Sequence, residues 1–300
     1  MSFRPVVAIA LFSLAGCGVD VEANAGPERS REQVFVYTAP MRAGQTVALR
    51  NMSGQLSIEP ASDDTLRIIA DLSWRGDSAL PSDVTFRGDT MPGGVFVCAI
   101  LGDGRCTPDD YDVKSDGTGM SLRGGRLKLG MGGGSLAKVH FRVKVPTGVR
   151  LDLVMIDGTI VSASSAPVEA KGVNGDMTIV TSVGPVQAKT VNGNIDARMT
   201  TLAGTDSVYV ETVNGEVAAY LPMNVSATVD VRATNGTVLS DFPGVLGGSQ
   251  RFDKMINGVL GAGTTPVRVR SINGGASLRQ LDAQGRPLQA SAAAATTPAP

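Results

Sequence analysis

Val173-Asn174-Gly175-Asp176-Met177-Thr178-Ile179-Val180 is followed 18 residues on by Val191-Asn192-Gly193-Asn194-Ile195-Asp196-Ala197-Arg198. After a further 22 residues comes Val213-Asn214-Gly215-Glu216-Val217-Ala218-Ala219-Tyr220. An apolar residue, an amide and a glycine introduce a stretch in which apolar residues alternate with others. Alternation with a period of two sends one set of side chains into a core and the other towards solvent, which is the mark of a half-buried strand. Glycine permits the positive φ of a tight corner and asparagine tolerates the left-handed region. The same phrase recurs as Ile156-Asp157-Gly158, Thr234-Asn235-Gly236, Ile256-Asn257-Gly258 and Ile272-Asn273-Gly274, so that the spacings run 17, 18, 22, 21, 22 and 16. A weaker copy, Met52-Ser53-Gly54, precedes Gln55-Leu56-Ser57-Ile58.

Units of about 20 residues suit a β-solenoid, in which each unit is one coil and equivalent corners line up along one edge. The expected row is Asp157-Gly158, Asn174-Gly175, Asn192-Gly193, Asn214-Gly215, Asn235-Gly236, Asn257-Gly258 and Asn273-Gly274. The alternative is an antiparallel β-sandwich, because Asn-Gly is also the strongest short hairpin signal. Stacking is preferred because the phrase keeps one polarity and one position in every unit. The fold class expected is therefore all-β, a solenoid of ~20-residue repeats with an irregular, Gly-rich insertion in the N-terminal half.

Composition agrees. Hydrophobic residues make up 42% but aromatic residues only 4%, so the core must be built from Val, Ile, Leu, Ala and Met. The 37 glycines lack a G-X-Y period and read as frequent turns. The formal charge is −1, which argues against a nucleic-acid partner. With the single histidine, His140, a multi-histidine metal site is excluded and no cofactor is expected. His140 falls on the polar face of Lys138–Val145, beside Lys138, Arg142 and Lys144, where a solvated sheet face is the reading.

The first residues carry an address. Arg4 precedes an apolar stretch from Val6 to Leu14, too short to span a ~30 Å hydrocarbon core as a helix but suited to a signal peptide. Leu14-Ala15-Gly16-Cys17 closely resembles the lipobox of bacterial lipoproteins. The resemblance implies cleavage before Cys17, acylation of that cysteine, and attachment to a membrane. Gly18, rather than Asp, follows it, which by resemblance to the proteobacterial sorting pattern implies the outer membrane, with the protein facing either the periplasm or the exterior. Removing residues 1–16 takes away one basic residue, Arg4, and leaves a charge of −2. Cys98 and Cys106 remain, eight apart around a Gly-containing loop, and a disulfide between them suits an oxidising, exported setting.

The expected organisation is a signal peptide (1–16), a lipidated tether (17–34), an N-terminal β region (35–150) with an insertion over about 75–150, solenoid repeats (151–280) and a disordered tail (281–300). The V-N-G phrases, and the opening Val47–Ile58, resemble the bacterial putative-adhesin family, a repetitive β domain of exported or membrane-tethered proteins. That resemblance covers about 35–280, implies a scaffold or binding role towards envelope protein or polysaccharide, and transfers no catalytic residue.

Other patterns carry less. Asp109, Asp110, Asp112 and Asp116 do not match the spacing of an EF-hand loop and read as solvated acids. Arg75-Gly76-Asp77 and Arg87-Gly88-Asp89 are explained by turn chemistry. Gly124-Gly125 and Gly132–Gly134 lack the Walker pattern. Asp176, Asp196 and Glu216 on the repeats would be the carboxylates of a rival reading, a polysaccharide-active enzyme on a β-helix. A third reading is a self-associating envelope module, since an exposed terminal rung is an open β edge.

Overall fold

The structure, a computed structural model, describes residues 27–75, 84–102, 104–107, 110–115, 118–123, 126–129, 137–202, 206–243, 245 and 254–288. These contain strands and no helix. In chain order the strands are β1 (Glu28–Pro40), β2 (Thr46–Pro60), β3 (Thr65–Arg75), β4 (Val84–Met91), β5 (Gly94–Leu101), β6 (Arg105–Cys106), β7 (Asp110–Ser115), β8 (Thr118–Arg123), β9 (Arg126–Leu129), β10 (Ala137–Val145) and β11 (Arg150–Ser164). They continue as β12 (Val168–Asn174), β13 (Met177–Thr181), β14 (Val186–Asn192), β15 (Ile195–Met199), β16 (Val208–Asn214), β17 (Val217–Pro222), β18 (Ala227–Asn235), β19 (Val238–Ser240), β20 (Met255–Leu260), β21 (Thr265–Asn273) and β22 (Ala276–Leu281).

Each repeat contributes one strand to each of two faces. On the first face the ladder runs β5, β2, β11, β12, β14, β16, β21, β18, all parallel. On the second it runs β10, β2, β11, β13, β15, β17, β22, β19, again parallel. The long strands β2 and β11 pass through the corner and belong to both. Parallel ladders between successive repeats are the signature of a solenoid. A hairpin sandwich would pair them antiparallel. The Asn-Gly phrase therefore turns the chain from one face to the other rather than reversing it within a face.

The core lies between the faces as stacked columns. Leu49, Leu153, Ala170, Ala188, Val210, Val269 and Val231 are in register on the first face and all are fully buried. Leu56, Ile160, Met177, Ile195, Val217, Ala276 and Val238 form the matching column on the second. Where the first face carries Ala170 and Ala188, the same rungs carry Met177 and Ile195 on the second. Small against large fills a narrow interior without aromatic rings, which explains how so few of them suffice.

Three features depart from expectation. First, the order of rungs is not the order of the chain. The last repeat, β21–β22, lies between β16–β17 and β18–β19, and β20 returns antiparallel on the outer edge of β18. Second, Asn257-Gly258 is not a corner. It sits inside β20, where Asn257 faces Asp230 and Gly258 faces Val229. Its strand runs the opposite way, so it cannot join the row. Third, the boundaries shift. β1 begins at Glu28, so the segment 28–34 is an edge strand against β3, not tether. Beyond β22 the chain makes an ordered turn, with Leu288 N–H donating to Gln280 O and Gly285 at φ 74°; a disordered tail from residue 281 is thereby corrected as far as Leu288.

The N-terminal region is continuous with the repeats, because β2 stacks directly on β11. β5 and β10 form a rung whose corner is replaced by residues 102–136. That insertion includes the antiparallel strands β6–β9. On the outward side of the first face, Phe96, Cys98, Ala48, Arg50 and Val154 are nonetheless buried, and β5 contacts β6 and β7 there. Arg50, at 4% exposure, donates to Asp152 O at 2.8 Å and pairs with the Asp152 carboxylate at 2.5 Å, so its charge is not left bare.

Candidate functional site

The corner row is built by glycine. Asp157 pairs with Ser53 and Asn174, and the register continues through Asn192, Asn214 and Asn273 to Asn235. A Cβ added to Gly158 would lie 1.9 Å from Gly54 O; at Gly175, 1.7 Å from Gly158 O; at Gly193, 2.2 Å from Gly175 O. Gly215, Gly274 and Gly236 continue the series, each against the carbonyl of the glycine before it in the stack. Gly54, Gly158, Gly175, Gly193, Gly215 and Gly274 have φ between 125° and 146°, where other residues are strained. Backbone bonds close the corner, with Gly175 N–H donating to Asn192 O at 2.7 Å and Gly193 N–H to Asn214 O at 2.8 Å.

The asparagines supply an exposed ladder of side-chain bonds. Asn192 Nδ2 donates to Asn174 Oδ1 at 2.8 Å, Asn214 to Asn192 at 2.7 Å, Asn273 to Asn214 at 2.7 Å and Asn235 to Asn273 at 2.9 Å. All four point the same way along the stack. A second column adjoins it. Asp176 Oδ1 accepts from Asn194 N–H at 2.7 Å, and Asn194 Oδ1 accepts from Glu216 N–H at 2.8 Å.

Beside this edge, on the second face, lies an open groove of about 380 Å³. Asp176, Asn194, Glu216, Asp196, Ala218 and Tyr220 are among the residues that line it. Arg198 forks onto Asp196 at 2.7 and 2.9 Å, and its guanidinium carbon lies 5.2 Å from the centroid of the Tyr220 ring. Burial, helped by the Asp196 charge, raises the Tyr220 phenol above its ordinary pKa. Asp176 is bonded to a backbone amide and Asp196 to an arginine. The first bond joins two rungs and the second lies within β15. A second groove, of about 300 Å³, flanks the corner on the first face and is lined by Ile156, Val173, Val191 and Val213 with Lys171 and Lys189. Lys171 pairs with Glu169 at 2.6 Å and Lys189 with Glu211 at 3.8 Å, so the charges along this rim are matched.

The remaining sequence candidates are dispersed. Cys98 and Cys106 are joined by a disulfide with Cα atoms 6.6 Å apart, tying the insertion to the outward side of the first face. Cys17, Gly76-Asp77, Asp109, Asp116 and the glycines at 124–125 and 132–134 lie outside the described residues, while Asp110 and Asp112 are positions on β7. Arg87-Gly88-Asp89 is an extended part of β4, and Gly88 packs against the Tyr37 ring, so this tripeptide is not presented on a turn. His140 is half-buried on the outward side of β10, with Nε2 3.1 Å from Ser73 Oγ. Sequence reasoning missed Ser73, which the antiparallel β3–β10 pairing sets opposite Lys138 and so diagonal to His140. Burial, reinforced by Lys138, lowers the His140 pKa. Asp71 is paired opposite it, and its oxygens accept from Arg142 and from Gln33 N–H.

The Toastrack DUF4097 family description matches residues 29–279, the whole two-faced stack together with its insertion. The chain belongs to the Toastrack DUF4097 family. Among solved structures, this Toastrack chain is similar to a putative cell adhesion protein from Clostridium sporogenes ATCC 15579, at 14% identity and a TM-score of 0.44, over 84% of this chain and 100% of that one. It is also similar to a putative adhesin from Bacteroides fragilis NCTC 9343, at 8% identity and a TM-score of 0.30, over 82% and 96% of the two chains. No curated protein matches it.

Proposed function

We propose that this Toastrack chain is a non-enzymatic protein of the cell envelope, lipid-anchored through Cys17, whose stack displays a binding surface for envelope polysaccharide or protein. The carrying observation is the groove beside the Asn-Gly edge. Equivalent polar groups, Asp176, Asn194 and Glu216, recur there once per rung, at the ~4.8 Å strand spacing. A repeated set of polar side chains along a rigid track matches an extended partner better than a small molecule enclosed on all sides. The signal peptide, the acyl chains on Cys17 and the outer-membrane address belong to this proposal and rest on residues 1–18.

Capture tests the binding role. The immobilised protein is offered solubilised envelope proteins and, separately, purified envelope polysaccharide. Glu216→Lys and Asp196→Lys in the groove serve as the control surface. Retention that the two substitutions abolish supports the reading. Equal retention by both forms, or none, overturns it. The address is tested by labelling cells with a fatty-acid analogue, which must be incorporated by the protein and lost in Cys17→Ser. Protease shaving of intact cells then reports which way the domain faces.

A further inference from the structure

We propose that the free edge of β20 is a self-association surface, on which a second copy of the chain pairs antiparallel about a two-fold axis through Asn257. The inference uses neither the groove nor the lipid and goes beyond the binding role.

Among the described residues β20 is the last strand of the first face, with β18 as its one strand partner and no other described strand on the opposite edge. Its sequence, Met255-Ile256-Asn257-Gly258-Val259-Leu260, carries no charge. Ile256 and Leu260 point into the core, with 4% and 9% exposure. Met255 and Val259 point outward, 47% and 62% exposed, and Val259 is the most exposed large hydrophobic residue among those described. An uncharged edge flanked by apolar side chains is what natural sheets avoid unless it is covered.

The other end of the same stack is guarded. β1 opens with Glu28-Arg29-Ser30-Arg31-Glu32, and its pairing with β3 is broken by a bulge between Arg31 and Phe35, with Gln33 at φ 50°. On the first face the outermost strand there, β4, carries the Arg87–Asp89 ion pair. Head-to-tail joining of the first faces would set Met255 and Val259 against the charges of β4. The chemistry therefore selects tail-to-tail contact, which closes as a dimer instead of propagating as a fibre.

β20 is complementary to itself. In an antiparallel pair, directly opposed residues share a face. Centring the axis on Asn257 sets Met255 opposite Val259 of the second copy, Val259 opposite its Met255, and Asn257 opposite Asn257. Both exposed apolar residues on each copy are then covered by the other's. Lys254 falls opposite Leu260 of the second copy, so no like charges meet. The first faces of the two copies join into one continuous sheet.

The test uses the full chain carrying Cys17→Ser, so that lipid does not drive assembly. Sedimentation velocity over about a hundredfold range of concentration is expected to show a monomer–dimer equilibrium. Val259→Lys replaces two apolar contacts per dimer by two desolvated ammonium groups and is expected to raise the dissociation constant ~100-fold or more, with its thermal melting unchanged. Asn257→Cys reads the register. Opposed Cβ atoms lie ~4.5–5.5 Å apart, so mild oxidation is expected to yield a disulfide-linked dimer. Val259→Cys is the control, because its two copies stand four residues apart along the strand, ~13 Å, and should not cross-link. A parent chain that stays monomeric throughout overturns the proposal. So does a Val259→Cys chain that cross-links as readily as Asn257→Cys.

Discussion

Gly175→Ala should be among the most damaging single-methyl additions available in this protein. The new Cβ would stand 1.7 Å from Gly158 O, and real Cβ contacts are essentially never under 3.0 Å, so the two rungs must part by about 1.3 Å at the corner. Gly175 also sits at φ 137°, where an alanine stores ~1–3 kcal/mol. The parting stretches the bond that joins the same two rungs, Ile160 N–H to Asp176 O at 3.0 Å, worth ~1 kcal/mol net. The expected loss is ~2–4 kcal/mol, or a fall in Tm of roughly 5–15 °C for a domain of this size. Equilibrium urea unfolding followed by circular dichroism measures it. Two alanine controls divide the causes. Gly44 has φ 85° with nothing within 4 Å, so Gly44→Ala carries strain without collision and should cost ~1 kcal/mol. Gly275 has its nearest neighbours at 3.6 Å and no positive φ; alanine there should be neutral or stabilising by up to ~1 kcal/mol. If Gly175→Ala costs no more than Gly44→Ala, the close-packed glycine column does not hold the corner and the account of it fails.

Asn192→Ala removes one bond given and one received in the amide ladder and should cost ~1–2 kcal/mol; a double-mutant cycle with Asn214→Ala should show coupling, and strict additivity would mean the ladder contributes nothing as a chain. Reducing the Cys98–Cys106 bridge reopens an eight-residue separation and should cost about 2.5 kcal/mol by loop entropy, felt as faster proteolysis within the insertion with the rungs still protected. Because burial depresses the His140 pKa in the folded chain, the unfolded chain binds the proton first. Stability should therefore be full above pH ~6.5 and decline as the pH falls through that value towards the folded pKa. His140→Gln should flatten that decline in a pH series of urea melts. A separate loss at more acidic pH belongs to Asp71 and Asp282, whose carboxyls are held down by hydrogen bonds from Arg142 and Gln33 and from Arg286 and Gln284 respectively, and it should survive in the His140→Gln chain.

The corners were legible because they obey a local rule. A glycine that must lie on another carbonyl leaves the same mark at Gly158, Gly175, Gly193 and Gly215. Even Gly54, preceded by Ser53 rather than Asn, joins the row, since the glycine and not the amide makes the turn. Asn257-Gly258 carries the same letters for another purpose. The discriminating sign lay downstream, where Val259-Leu260 runs into Gly261-Ala262-Gly263 and no alternating strand follows. The first strand was hidden because residues 28–32 occupy an edge, exposed on both sides, and an edge needs no apolar period. Ser73 beside His140 and the groove beyond the Asn-Gly edge come from pairings between distant segments, to which local periodicity is blind. The sequence of rungs was out of reach for a similar reason: every corner is alike, so nothing in a single repeat says which neighbour it will meet.

That shuffled order bears on how such a protein can be shortened. In an ordinary array the final repeat can be trimmed and the remainder keeps its shape. Here, ending the chain at Leu260 would withdraw a plank from inside the wall, leaving β18–β19 with no parallel neighbour and two raw margins facing an empty slot. A chain threaded from its N-terminus closes its own stack only when residues 265–281 arrive. Copies of the 18–22-residue unit can accumulate upstream without upsetting that closure, whereas the last stretch works as a keystone that no earlier repeat replaces.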